Sequence, residues 1–199
     1  LAAATFLAST LLRCAPGGTG ETLMQTMAVL DALSYLHDHE PPVVHRDIKP
    51  SNLRRTPRGE IVLLDFGLAK GRPEEVAMPR PDRSVFGYTL AYSPPEQILR
   101  GKTDARSDVY AVGATLYHLL TGRPPVNALD RMRTAESGRP DPLPAAHLVS
   151  ADVPESLGRL IARAMAVEGA ERYASARDMR AALNDCGVDQ TTRVNTPEH

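Results

Sequence analysis

The spacing of apolar residues predicts that the first long helix of this chain has one buried face. Over residues 21–38, apolar side chains recur every three or four positions, which places them on one side of an α-helix. These residues are Leu23, Met27, Leu30, Leu33 and Leu36. Pro41-Pro42 ends the helix, because proline cannot continue it. Thr19, in a predicted loop over residues 16–20, is the candidate N-cap of this helix. A short helix is predicted before that loop, over residues 5–13.

Further helices are predicted in the second half of the chain, where residues 107–121 carry the longest apolar pattern and Gly122 stops it. Residues 137–150 predict a loop. Three more helices are predicted. One covers residues 126–136, and one starts at residues 152–155. The last starts with a capping-box pattern at Ser175 and ends near Asn184.

Two short segments, residues 52–56 and 61–64, predict a β-hairpin, because Pro57 and Gly59 between them favour a turn. The second segment is wholly apolar, so we expect a buried strand. Residues 68–83 predict a long loop without periodicity. The predicted fold class is therefore mainly α with a small β-hairpin.

Composition narrows the classes of function. The chain has 199 residues, 42% of them hydrophobic, and a net charge of −1, which gives no electrostatic reason to bind nucleic acid or an anionic membrane. Cys14 and Cys186 are far apart and lack metal-ligand spacing, which favours a reducing compartment, and we expect a cytoplasmic location. No apolar run approaches the roughly 20 residues of a membrane span. The apolar opening, residues 1–12, predicts an amphipathic helix rather than a signal peptide.

The candidate chemistry lies in two motifs. One is His45-Arg46-Asp47 followed by Lys49 and Asn52, and the other, 18 residues after Asp47, is Asp65-Phe66-Gly67. Phosphoryl transfer needs a positioned hydroxyl, neutralised phosphate charge and a held metal ion. Two aspartates, an asparagine and a lysine would meet these needs. The hairpin between the motifs predicts that Asp65 and Asp47 share one site.

With these motifs the chain resembles the C-terminal lobe of bacterial-type serine/threonine protein kinases, over about residues 5–185. Three further segments support the resemblance by their order and spacing. They are Ser93-Pro94-Pro95-Glu96, which has Pro where the family has Ala before Pro-Glu; Asp108-Val109-Tyr110 through Gly113; and Arg172.

The resemblance implies a role for each matching residue. Asp47 would orient the substrate hydroxyl and accept its proton, and Lys49 would contact the γ-phosphate of ATP. A lysine at this position implies Ser/Thr rather than Tyr substrates. Asn52 and Asp65 would hold Mg²⁺ through hard oxygen ligands.

The resemblance also implies supporting roles. Asp108 would hold the backbone around His45 and Arg46, His45 would pack the catalytic loop, and Glu96 would pair with Arg172. Two more residues lie in the expected activation segment. Thr89 would shape the pocket beside the phosphoacceptor, and Ser84, flanked by arginines, is either a phosphate acceptor that Arg46 recognises or an ordinary solvated serine. The ordinary interpretation, a core or surface residue, applies to His37, His39, His118 and His147.

The domain organisation implied by the resemblance is a kinase C-terminal lobe over residues 1–186 and a polar tail over residues 187–199. The N-terminal lobe, with its ATP-anchoring lysine, is expected to be absent, because the three lysines are Lys49, Lys70 and Lys102. We therefore expect a truncated kinase that is inactive alone and whose partners are protein substrates and the missing lobe. A membrane anchor is expected only if a transmembrane segment follows His199. Two alternatives are a pseudokinase-type binding module and, less favoured because of the long segment 68–96, a small-molecule phosphotransferase.

Overall fold

The computed structural model describes residues 18–64 and 90–186, which form a mainly helical fold with one two-stranded antiparallel sheet. The predicted fold class is thus confirmed. The elements are α1 (Gly18–His37), a 3₁₀ turn (Pro50–Asn52), β1 (Leu53–Arg55), β2 (Ile61–Leu63), α2 (Pro95–Ile98), α3 (Ala105–Thr121), α4 (Ala128–Glu136), α5 (Ala146–Val149), α6 (Glu155–Ala164), a second 3₁₀ turn (Gly169–Glu171) and α7 (Ala176–Asp185).

Helix α3 is the centre of the core. Every residue from Ser107 to Tyr117 is buried, and the helix contacts α1, α6 and α7. Its start is fixed by Asp104, whose side chain accepts the backbone N–H of Arg106 at 2.8 Å. Its end is fixed by Gly122, which adopts the left-handed conformation (φ 69°) that glycine accommodates best. A helix with this much buried surface gives the neighbouring loops a rigid base.

Helix α1 begins earlier than predicted. It starts at Gly18, so Thr19 lies inside the helix and the N-cap prediction was wrong. The hydroxyl of Thr19 instead donates to the carbonyl of Asp152 at 3.0 Å, a tertiary contact that local sequence does not reveal. The predicted apolar face is correct, since Leu23, Leu30 and Leu33 are buried in the core.

The hairpin has the predicted strands but not the predicted burial. Leu53 pairs with Leu63, and Arg55 pairs with Ile61. Ile61 and Leu63 pack against the core, whereas Val62 is 41% exposed, so the expectation of a wholly buried strand was wrong. Successive side chains of a strand point to opposite faces, and the outer face of this small sheet is not covered around Val62.

The C-terminal helices largely follow the prediction. Ser175 caps α7, because its hydroxyl accepts the N–H of Asp178 at 3.1 Å. The expectation of a loop over residues 137–150 was wrong at its end, where the four residues of α5 are helical. So short a helix cannot show a periodic pattern. The predictions for residues 5–13, 68–83 and 187–199 lie outside the described residues. In the part of the chain that is described, no helix is long and apolar enough to cross a membrane.

Candidate active site

Asp47 is the centre of a compact polar cluster at the loop between α1 and β1. Its carboxylate lies 2.8 Å from the Lys49 ammonium through Oδ1 and accepts a hydrogen bond of 2.8 Å from Asn52 Nδ2 through Oδ2. The side chains of Asp47 and Lys49 are only 16% and 17% exposed. Three of the predicted site residues therefore meet in one half-buried place. An ion pair this shielded from water is stronger than one on an open surface.

Asn52 is oriented by two bonds from the same nitrogen. Nδ2 also donates to the main-chain carbonyl of Asp47 at 2.7 Å, so the amide spans both the backbone and the side chain of that residue. The 3₁₀ turn that begins at Pro50 delivers Asn52 to this point. Neither bond uses Oδ1, which is a hard oxygen donor of the kind that Mg²⁺ prefers. Asn52 thus fits a metal-binding role.

The second expected metal ligand, Asp65, lies outside the described residues, as do Thr89 and Ser84. The strand that leads to Asp65 is described up to Leu64, whose N–H donates to the carbonyl of Asn52 at 2.8 Å. The hairpin therefore brings the residue just before Asp65 into contact with Asn52. Within residues 18–64 and 90–186, no group of three His, Cys, Asp or Glu side chains could hold a metal ion.

The backbone of the loop is held by a buried carboxylate on α3. Asp108, fully buried, accepts the N–H of His45 at 2.8 Å and the N–H of Arg46 at 2.9 Å. Arg46 has φ 68°, a left-handed conformation that is unusual for a residue with a side chain. His45 is also fully buried, and its Nδ1 lies 3.3 Å from the N–H of Asp47. The contacts expected of Asp108 are present.

His37 is a residue that sequence reasoning missed. It ends α1, and its Nε2 lies 2.9 Å from Oδ2 of Asp108, with the side chain only 8% exposed. The ring therefore joins α1 to the carboxylate that holds the loop. A histidine at the end of a helix carries no sequence signal for such a contact, since its partner lies 71 residues away.

Gln97 is the second missed residue. It lies on α2, and its Nε2 donates to the main-chain carbonyl of Arg46 at 2.6 Å. This oxygen belongs to the peptide unit that joins Arg46 to Asp47. Nothing in the local pattern around Gln97 pointed to the loop, because the contact bridges 51 residues.

The predicted pair of Glu96 and Arg172 is present. The fully buried guanidinium donates from both terminal nitrogens to the two carboxylate oxygens, at 2.7 and 3.0 Å. Ser107 also donates its hydroxyl to Glu96 at 2.7 Å. Burial alone would raise the pKa of Glu96, but the hydrogen bonds from Arg172 and Ser107 outweigh it and leave the pKa below its ordinary value of 4.5.

The other histidines have structural contacts. His39 is exposed and contacts the carbonyl of Tyr35 through Nδ1 at 3.1 Å, and His147 packs beside Gly158. His118 Nδ1 lies 2.5 Å from the hydroxyl of Tyr92, and burial lowers the pKa of His118. Tyr92 is buried in the segment that precedes α2.

Comparisons with known proteins identify the family. A family model described as the protein kinase domain matches residues 17–181. A probable serine/threonine-protein kinase of Streptomyces coelicolor is 33% identical over 165 residues, which cover 83% of this chain and 24% of that protein. The serine/threonine-protein kinase PknB of Mycolicibacterium smegmatis is 37% identical over 154 residues, which cover 76% of this chain and 24% of that protein.

Comparison with solved structures also finds protein kinase domains. The crystal structure of the Mycobacterium tuberculosis PknI kinase domain superposes with a TM-score of 0.62 at 28% identity and covers 86% of this chain and 58% of that one. The chain thus spans about a quarter of the length of the two curated relatives named above and somewhat more than half of a solved kinase domain.

Proposed function

Because this chain belongs to the protein kinase family, we propose that it carries the phosphotransfer site of a serine/threonine protein kinase. The reaction moves the γ-phosphate of ATP to the hydroxyl of a Ser or Thr in a protein substrate. The observation that supports this most is the cluster in which Lys49 and Asn52 both contact the carboxylate of Asp47. The serine/threonine kinases named among the relatives favour the same reaction.

Asp47 acts on the incoming hydroxyl. Its carboxylate accepts a hydrogen bond from the hydroxyl, which points the oxygen at the γ-phosphorus, and takes the proton as the new O–P bond forms. The bond between the γ-phosphorus and the β–γ bridging oxygen of ATP breaks in the same transfer, and ADP leaves with that oxygen. Lys49 contacts a γ-phosphate oxygen. Its ammonium lies 2.8 Å from the Asp47 carboxylate, which supports the proposal that both side chains act on the same phosphoryl group. Lys49 also favours Ser and Thr over Tyr as the acceptor.

Asn52, through Oδ1, and Asp65 are the proposed ligands of Mg²⁺. When bound, Mg²⁺ supplies neutralisation of the phosphate charge. The two hydrogen bonds of Asn52 Nδ2 to Asp47 fix the direction of the amide, and neither of them uses Oδ1. Thr89 is proposed to shape the acceptor pocket, and Ser84 to be a phosphorylation site whose phosphate pairs with Arg46.

We further propose that residues 1–199 by themselves have little activity. Every lysine of the chain lies at or after Lys49, so a lysine on an N-terminal lobe must anchor ATP. The N-terminal lobe is therefore the first partner that this site requires.

The experiment compares the complete product of the gene that encodes these residues with residues 1–199 expressed alone. Each is incubated with Mg²⁺ and γ-labelled ATP and a mixture of protein substrates, and the labelled amino acids are identified after hydrolysis. We expect labelled phosphoserine or phosphothreonine from the complete product and little label from residues 1–199. Nucleotide binding without transfer by the complete product would instead indicate a pseudokinase-type binding module, and labelled phosphotyrosine alone would contradict the proposed specificity.

A further inference from the structure

The carbonyl of Arg46 receives a hydrogen bond from a side chain that the phosphotransfer chemistry does not use. Gln97 Nε2 lies 2.6 Å from this oxygen, and Gln97 is half-buried on α2. The oxygen is part of the peptide unit whose other end is the nitrogen of Asp47. A net change in the backbone torsions on either side of this unit would turn the Cα–Cβ bond of Asp47 and with it the carboxylate.

This peptide unit needs to be held from outside, because Arg46 is in the left-handed region with φ 68°. Asp108 fixes the two preceding N–H groups, and His45 Nδ1 lies 3.3 Å from the N–H of Asp47. Gln97 holds the oxygen of the same unit. The two polar groups of the peptide are therefore restrained from opposite sides.

Helix α2 is itself firmly anchored. Glu96, the residue before Gln97, is bound by the buried guanidinium of Arg172 and by Ser107. Two consecutive side chains of a four-residue helix thus reach different parts of the molecule, one the core and the other the Asp47 loop. The hydrogen bond of Gln97 therefore links the anchored helix α2 to the peptide before Asp47.

We propose that Gln97 is a positioning residue for Asp47, which ties the orientation of its carboxylate to the anchored helix α2. The inference rests on the proposed kinase function of Asp47. It predicts that loss of the Gln97 donor lowers turnover while substrate and ATP binding persist, because the fold and the binding surfaces are kept and only the angle of the carboxylate is released.

Three variants of the complete gene product test this. Gln97→Met keeps the length of the side chain but has no donor, and Gln97→Glu places acceptor oxygens against the Arg46 carbonyl. Gln25→Met is the matched control, because Gln25 Nε2 also makes one side-chain hydrogen bond, to Glu21 at 3.3 Å, on helix α1. If Gln97 merely filled space, Gln97→Met would resemble Gln25→Met and the parent protein.

We expect kcat to fall about tenfold in Gln97→Met and further in Gln97→Glu, with KM for ATP and for the protein substrate within about twofold of the parent. Gln25→Met should keep the kcat of the parent. Equal kcat values for Gln97→Met and Gln25→Met would overturn the proposal, as would a rise in KM with kcat unchanged.

A second measurement separates this inference from the kinase assignment. In NMR spectra, loss of a hydrogen bond to a carbonyl moves its ¹³C resonance, so Gln97→Met should shift the Arg46 carbonyl and the Asp47 amide, and Gln25→Met should leave both in place. If the parent protein transfers no phosphate, the kinase proposal fails, and unshifted Arg46 and Asp47 resonances would separately disprove the contact. Thermal melts compare the melting temperature of each variant with that of the parent protein, so that lost turnover can be separated from unfolding.

Discussion

The carboxylate of Asp108 accepts the backbone N–H of His45 at 2.8 Å, across 63 residues of sequence. It also binds the N–H of Arg46 and lies 2.9 Å from Nε2 of His37. Because Asp108 is fully buried in α3, the loop before Asp47 is held by the core as well as by its own contacts. The position of the proposed catalytic carboxylate therefore depends on α3 as well as on the loop itself.

Replacing Asp108 should weaken the fold. Asp108→Ala removes the acceptor of the buried N–H of His45 and of the partly buried N–H of Arg46, and we expect a loss of about 3 kcal/mol in the free energy of unfolding. Urea denaturation measures this. Asp38→Ala is the control, since Asp38 pairs with Arg177 on the surface with 63% of its side chain exposed, and should change stability by less than about 1 kcal/mol. Equal losses for both variants would show that Asp108 does not hold the loop.

His37 should contribute measurably through its bond to Asp108. His37→Phe keeps an aromatic ring but removes Nε2, and we expect the free energy of unfolding to drop by about 1.5 kcal/mol. His39→Phe, two residues along, replaces an exposed ring and should change it by less than about 0.5 kcal/mol. A stability for His37→Phe that matches His39→Phe would mean that the contact is energetically neutral.

The buried guanidinium of Arg172 should be among the costliest polar groups to remove. Besides Glu96, it donates to the carbonyls of Arg106, Ala166 and Val167, at 2.8 to 3.1 Å. Arg172→Met leaves these acceptors and a half-buried carboxylate unpaired, for which we expect a loss of about 3 to 5 kcal/mol.

Arg159→Met supplies the comparison for Arg172. Arg159 pairs with Glu155 across one helical turn, and both side chains are about two-thirds exposed. Its removal should cost less than about 1 kcal/mol in the same denaturation experiment. A cost for Arg172→Met as small as this would refute the anchoring of α2 that we describe.

The same ion pair should make stability sensitive to acid. The pKa of Glu96 lies below 4.5 because hydrogen bonds from Arg172 and Ser107 outweigh the effect of burial, which alone would raise it. A carboxylate with a lowered pKa in the folded state stabilises the protein above its unfolded pKa, and this stabilisation is lost as the pH falls through the folded pKa. We therefore expect the free energy of unfolding to decline as the pH drops below about 4.5.

Two variants isolate the contribution of Glu96 to this decline. Glu96→Gln has no carboxyl group to titrate at this position, so its free energy of unfolding should decrease less between pH 5 and pH 3. The part of the decline that comes from protonation of the Glu96 carboxylate is then absent. Glu155→Gln changes an exposed carboxylate and should keep the slope of the parent protein. If Glu96→Gln had the parent slope instead, acid sensitivity would have to come from other groups.

Much of the fold could be predicted because its pattern is local. The period of α1 and the apolar run of α3 follow from side-chain spacing, and Ser175 carried a cap signal that the structure bears out. The cluster around Asp47 was predictable in part, because Lys49 and Asn52 are only two and five residues away.

The remaining features depend on the tertiary structure. The hydroxyl of Thr19 does not cap α1 but donates to the carbonyl of Asp152, 133 residues away. Val62 is exposed because no other part of the described fold packs on its face of the sheet. The contacts of His37 and Gln97 join segments that no periodicity relates. His37 and Gln97, which hold the loop from a distance, were therefore invisible in the sequence. Asp108 also acts from a distance, and only the family resemblance pointed to it.

The most direct test of the whole account is the turnover of Asp47→Asn in the complete gene product, measured as γ-phosphate transfer from Mg²⁺·ATP. The substitution keeps the size of the side chain and removes the base, so kcat should fall on the order of 10² to 10⁴-fold while KM for ATP changes little. Asp38→Asn, the same change on the exposed surface, should leave kcat unaltered. A kcat for Asp47→Asn within about threefold of the parent protein would contradict the assignment of Asp47 as the catalytic base.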